Sequence, residues 1–292
     1  MFEIGISTDY KQIFWPRCHD KFELKENEMS SLVVVFEDTV SKCRGNQVLA
    51  DSIQKSLREQ KIILEDDVLD FTSDSASKGK VRVTKNRTME AAKGYVNKKV
   101  CVLNFASACN PGGGVTKGAH AQEECLCRIS TLYPCLNVSK NWDRFYKPHR
   151  QLDSLYNSDM IYTPGVTVFK SDTASPVMLD ERDWFHVDVV TCAAPNISRC
   201  KGRPKGSDVQ KIFEKRFERV VLAALGYCCE VLVLGAFGCG AFGNSPSVVA
   251  AAAYKVMEKY RYCFETVEFA VYCKPGEENN YRVFRAGLGR ML

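Results

Sequence analysis

Uninterrupted apolar runs at residues 100–105 and 231–234 read as strands buried on both faces. Residues 166–169, 187–192 and 266–272 predict further strands, and the alternation Val81, Arg82, Val83, Thr84 predicts a short one. Elsewhere the apolar period lengthens to that of a helix. Leu32, Val35, Phe36 and Val40 mark one face of a helical stretch from 30 to about 65. Ile212, Phe213, Phe217, Val220, Val221 and Ala224 predict a long amphipathic helix over 209–225, and 247–260 reads as another. Thr88 is the expected N-cap of a helix over 89–96, with Glu90 near its positive end. Residues 72–80 are small, polar and turn-rich, and residues 1–28 carry little periodicity. Strands alternating with helices imply an α/β fold, a mixed or mostly parallel sheet covered on both sides. Residues 1–80 read as an N-terminal helical extension and 81–292 as the main domain, the two forming one compact unit.

Composition narrows the setting. The 292 residues suffice for one large α/β domain with additions, and the 45% hydrophobic and 26% charged fractions are those of a soluble globular protein. The net charge of +5 is too small to indicate nucleic-acid binding, and the basic loop Lys201, Arg203, Lys205 reads as a solvated face. No run reaches the roughly 18 apolar residues of a membrane helix, and the first residues lack the features of a signal peptide. The 14 cysteines then belong to a reducing interior, cytoplasmic or nuclear, as small buried hydrophobes. Cys125/Cys127 and Cys228/Cys229 have the wrong spacing for zinc, and four histidines are too few for a His-rich metal site.

Two glycine-rich segments carry the chemistry. After the strand at 100–105 come Gly112, Gly113 and Gly114, then Gln122, Glu123 and Glu124. Three consecutive glycines allow backbone N–H groups to approach phosphate or sugar oxygens closely. Two adjacent carboxylates raise the pKa of at least one of them and so can hold a proton near neutral pH. A phosphate-and-sugar cradle followed by an acid points to cleavage of a glycosidic bond on a nucleotide. The second segment, Gly238, Cys239, Gly240, Ala241, Phe242, Gly243 and Asn244, joins the strand at 231–234 to the helix at 247. Its glycine spacing matches the dinucleotide fingerprint, so a Rossmann dehydrogenase is the rival reading. Position disfavours it, because only 49 residues follow Gly243, too few for the remaining βαβ units. Gly240 is where a left-handed backbone and a close phosphate approach are expected. Phe242 is a candidate to stack on a ribose or adenine ring, whereas Phe237 reads more simply as core. His120 reads as a solvent-facing loop residue, and Asn104 either satisfies loop backbone groups or touches substrate.

The three glycines, short spacer and Gln122-Glu123-Glu124 resemble the signature of poly(ADP-ribose) glycohydrolases. Residues 103–111, 191–196 and 232–246 resemble the microbial-type branch of that family, with the likeness running from about Val81 to the C-terminus and weakly including the helices before it. The resemblance implies a macrodomain-like three-layer α/β/α sandwich with a mixed sheet, and ADP-ribose gripped between the two glycine loops. It makes Glu124 the catalytic acid/base. Glu123 then hydrogen-bonds ribose hydroxyls, since neighbouring side chains cannot easily flank one bond. Asn104, Gly112–114, Gln122 and residues 238–244 become substrate-binding. No metal or redox cofactor is implied. The expected partners are ADP-ribose, poly(ADP-ribose) or ADP-ribosylated macromolecules, with nucleic acid only as a modified substrate, no membrane, and a monomeric protein. A hydrolase of single ADP-ribose units and a non-catalytic reader stay open as alternatives, the intact Gln122-Glu123-Glu124 arguing against the reader.

Overall fold

The computed structural model describes residues 13–15, 31–70, 77–202 and 204–292. Most of the N-terminal extension before residue 31, residues 71–76 of the linker and Arg203 lie outside the described residues. The helical stretch expected from 30 to 65 divides into α1 (Ser31–Gly45), α2 (Gln47–Glu59) and a strand, β1 (Lys61–Ile63). Asn46 causes the break between the helices. Its backbone is extended and its side chain accepts the Leu49 N–H at 3.1 Å, capping α2. After β2 (Lys80–Thr84), helix α3 (Thr88–Lys93) has Arg87 as its N-cap rather than Thr88. The Arg87 N–H donates to the Glu90 carboxylate at 3.0 Å, half of a capping box. Thr88, freed from capping, instead accepts a hydrogen bond from Gln122.

The remaining strands are β3 (Val100–Ala106), β4 (Met160–Val168), β5 (Phe185–Ala193), β6 (Val231–Leu234) and β7 (Thr266–Ala270). They form one seven-stranded sheet in the order β1-β4-β5-β3-β6-β7-β2. The β1–β4 and β4–β5 pairs are antiparallel and the rest parallel, so the sheet is mixed as expected. β4 begins well before residue 166 because Pro164 and Gly165 interrupt its apolar pattern, and the pairing shifts register between Thr163 and Val166.

Two helices near the first glycine loop have no apolar period to announce them. α4 (Gln122–Ile129) and α5 (Leu132–Leu136) are buried over most of their length, so no polar face marks their turn. They lead into a helical run, α6 (Ser139–Asn141), a π-turn over 142–146 and α7 (Lys147–His149). The expected long helices are α8 (Gly206–Gly226) and α9 (Pro246–Tyr260), followed by α10 (Asn279–Gly287).

α8, α9 and α10 bury Phe213, Phe217, Val249 and Phe284 against one face of the sheet. α1, α3, α4 and α5 bury Phe36, Met89, Leu126 and Leu132 on the other. Central strand β3 feeds both layers, Cys101 and Leu103 to the first, Val100 and Val102 to the second. The result is a macrodomain-like α/β/α sandwich. Because β5, β3 and β6 are adjacent and parallel, the loops that leave them emerge side by side at one edge. In open α/β sheets ligands bind in the crevice beyond those carboxyl ends.

Candidate active site

Gln122, Glu123 and Glu124 are the first turn of α4, where the helix end favours negative charge. Gln122 sets the position of that turn. Its Nε2 donates to the Leu103 carbonyl at 2.8 Å and to Thr88 Oγ1 at 3.0 Å, and its Oε1 accepts from the Phe105 N–H at 2.8 Å. The amide thus clamps α4 onto the end of β3.

Glu123 is 2% exposed. Its Oε2 accepts from the Ser107 N–H at 2.7 Å and its Oε1 from Asn104 Nδ2 at 3.3 Å. Asn104, wholly buried on β3, also donates to Thr191 Oγ1 of β5 at 3.3 Å. Burial pushes the Glu123 carboxyl up to about 8; the Ser107 hydrogen bond opposes this and the neighbouring Glu124 charge adds to it. Burial thus favours the protonated form of Glu123. Glu124 places Oε1 on the Gly114 N–H at 2.8 Å, while its Oε2 is buried without a hydrogen-bond partner. Within this carboxylate pair, that oxygen alone lacks a partner.

Both carboxylates converge on Gly113. Its backbone has φ +60°, and a Cβ there would collide with Glu124 Oε1 and lie 3.1 Å from Glu123 Oε2. At Gly112, just before, a Cβ would lie 2.7 Å from the Tyr133 ring.

The second glycine loop is folded around Asn244, which is buried and donates from Nδ2 to the Pro195 carbonyl at 2.8 Å and the Gly238 carbonyl at 2.9 Å. The left-handed backbone expected at Gly240 occurs instead at Gly238 and Gly243. Those two residues make the turns, and Gly240 sits at the exposed crest between them, with no atom within 4 Å of where its Cβ would be.

A cleft of about 500 Å³ opens between this loop and the start of α4, walled by Phe105, Gln122, Gly238, Gly240, Ala241 and Phe242. Its wall carries Gln122, the residue before the two carboxylates, and not the carboxylates themselves. Half-buried Phe242 faces the cleft, where stacking on a ligand ring is open to it. Phe237 is fully buried against Phe105, Phe213 and Phe217, a core residue. His120 is exposed at the rim, as a loop histidine should be. The parts that Ser107, Thr88 and Thr191 play in holding the machinery in place have no local signal: each is a small polar residue whose partner lies on another element. Among the described residues no group of His, Cys, Asp or Glu could hold a metal ion, and no helix is long and apolar enough to cross a membrane.

The sandwich, with two glycine loops and a carboxylate pair beside the cleft at the carboxyl ends of its parallel strands, defines the class as an α/β/α protein with its ligand cleft at the strand ends. The model of the microbial-type PARG catalytic domain matches residues 30–171. The chain is similar to the crystal structure of poly(ADP-ribose) glycohydrolase from Thermomonospora curvata, at 31% identity over 88% of this chain and 99% of that one, with a TM-score of 0.78. The same enzyme bound to the inhibitor ADP-HPD gives 31% identity, 90% and 99% coverage and 0.77. The enzyme from Deinococcus radiodurans in complex with ADP-ribose gives 30%, 82% and 98%, and 0.73. Comparison with curated proteins returns no match. The chain belongs to the microbial-type poly(ADP-ribose) glycohydrolase family and is an enzyme of the glycohydrolase class.

Proposed function

We propose that this enzyme hydrolyses the ribose–ribose glycosidic bond of poly(ADP-ribose) and releases ADP-ribose, with Glu124 as both general acid and general base. The observation that carries this reading is Glu124 Oε2, a buried carboxylate oxygen without a protein partner beside the first glycine loop. Support for the ligand comes from the Deinococcus radiodurans relative, solved with ADP-ribose. The loop over residues 238–244 cradles the diphosphate, and residues 112–114 hold the carboxylates at the scissile bond, the Gly114 N–H on Glu124 Oε1. Phe242 packs on a ligand ring. In its acid form Glu124 gives a proton to the departing ribose oxygen as the C1–O bond breaks and the remaining ribose becomes oxocarbenium-like. The carboxylate so formed takes a proton from water as the water oxygen bonds to C1, which restores the acid. Glu123, its protonated form favoured by burial, is held by Ser107 and Asn104, which suits it to ribose hydrogen bonding rather than nucleophilic attack. No step calls for a redox cofactor. The cysteines among the described residues are free thiols, which supports a reducing compartment, cytoplasmic or nuclear.

Incubation with purified poly(ADP-ribose) and no added cofactor tests the reading. Wild type is expected to release ADP-ribose, and Glu124→Gln to lose on the order of 10²–10⁴-fold in turnover, the usual size of an acid–base contribution. Binding of ADP-ribose, read by calorimetry, should be nearly unchanged. Wild-type turnover in Glu124→Gln would remove the mechanism.

A further inference from the structure

Bond cleavage leaves one charged feature of the molecule without a role. Arg150, Arg199, Lys201 and Lys205 are all exposed, and none forms an ion pair among the described residues. They are tied to the two glycine loops. Arg150 donates to the Cys109 carbonyl at 3.0 Å and to Asn110 Oδ1 at 2.8 Å, just ahead of Gly112. The segment bearing Arg199, Lys201 and Lys205 is fastened to the second loop by Ser198. Its N–H donates to the Phe242 carbonyl at 3.1 Å and its Oγ to the Ala241 carbonyl at 3.2 Å. Ser154 joins the two groups: its carbonyl accepts the Asn196 N–H at 2.7 Å and its Oγ lies 3.1 Å from Cys200 Sγ.

Carboxylates near in sequence do not neutralise this rim. Asp153 accepts the Leu155 N–H at 2.8 Å, and Asp208 lies in the first turn of α8 without an ion pair among the described residues. Lys205 is moreover the N-cap of α8, the helix end where an acidic residue is the stabilising choice. Exposed cations without an ion pair gain most when a polyanion arrives.

Resting on the glycohydrolase reading, we infer that this rim is a second subsite, holding the diphosphate of the polymer unit on the far side of the scissile bond. The bond is cut at Glu124, beside Gly114, so the unit not held in the cleft must leave along one or both glycine loops. Arg150 flanks the first of these and Arg199 and Lys201 the second. Each polymer unit carries a diphosphate, the ligand chemistry that unpaired lysine and arginine select. None of the four cations lines the cleft, so a single ADP-ribose held there lies apart from the rim. The subsite therefore favours polymer over the monomeric product.

The test is the double variant Lys201→Glu/Lys205→Glu, whose wild-type side chains are exposed and make no ion pair among the described residues. With Glu124 intact, KM for poly(ADP-ribose) at low salt should rise about tenfold with kcat unchanged, and the dependence of log KM on log salt should flatten by on the order of 1. Affinity for ADP-ribose should stay the same. In the Glu124→Gln background, polymer should bind more tightly than ADP-ribose, and the double substitution should erase that advantage. Unchanged polymer KM, salt slope and polymer affinity would overturn the subsite. Absence of ADP-ribose release by the wild type would instead strike the glycohydrolase reading, while the binding arm still decides whether the rim holds polymer.

Discussion

Glu123 has both oxygens on protein donors, whereas its neighbour Glu124 keeps Oε2 free. Burial, rather than proximity to Glu124, is the larger reason that the Glu123 carboxyl is raised to about 8. The consequence for stability has a definite sign. The folded protein holds this proton more tightly than the unfolded chain, so the contribution is full below the ordinary carboxylate range and is lost as pH rises through about 8. Glu123→Gln keeps a neutral side chain at every pH and should remove that loss. Urea unfolding between about pH 5 and 9 should show wild type losing a few kcal/mol relative to the variant, given about 1.4 kcal/mol per pKa unit. Parallel pH profiles for the two proteins would mean that Glu123 is already ionised at neutral pH.

At the level of the elements, the glycines of the second loop divide into those that shape it and one that leaves room. A Cβ at Gly238 would lie 2.5 Å from the Ala194 Cβ and 2.8 Å from Asn244 Nδ2, on a backbone with φ +73°. Gly238→Val should therefore lower the melting temperature by several degrees, through strain and loss of the Asn244 anchor. At Gly240 a Cβ meets no protein atom within 4 Å, so Gly240→Val should leave the melting temperature close to wild type. On the proposed binding mode its side chain enters the space of the diphosphate, so ADP-ribose affinity should fall by roughly tenfold or more, about 1.4 kcal/mol. Equal ADP-ribose affinity in wild type and Gly240→Val, measured calorimetrically, would make this loop a structural turn only.

The molecule as a whole brings together loops from three adjacent parallel strands, β5, β3 and β6, at one edge of the sheet. A dehydrogenase would need, beside that cleft, a second pocket for a nicotinamide and a hydride partner. Here the first turn of α4 occupies the flank of the cleft and presents Gln122. ADP-ribose should accordingly bind more tightly than NAD. At about 100 times its Kd, ADP-ribose should stabilise the fold by about 2.7 kcal/mol, and NAD at the same concentration by less. A larger thermal shift with NAD would return the hydride-transfer reading to favour.

Strands β3 and β6, helices α8 and α9, and both glycine loops are legible in the chain because each rests on local pattern: a run buried on both faces, a 3.6-residue period, or glycine where close approach is required. The pair Glu123-Glu124 stands out for the same reason, as adjacent acids following a glycine run. The division of labour between them is not local. It depends on Ser107, Asn104 and Gly114, which reach the two side chains only after β3 and α4 have packed. Thr88 has the residue type of a cap, but Arg87 takes that place and leaves the threonine hydroxyl for Gln122. β1 is hidden in a helical pattern because its pairing partner, β4, lies far along the chain. The turns of the second loop fall to Gly238 and Gly243 rather than Gly240, since Asn244 draws the loop around its own amide. Periodicity and residue type are properties of neighbours along the chain, whereas burial, proton affinity and an unpartnered oxygen are properties of neighbours in space.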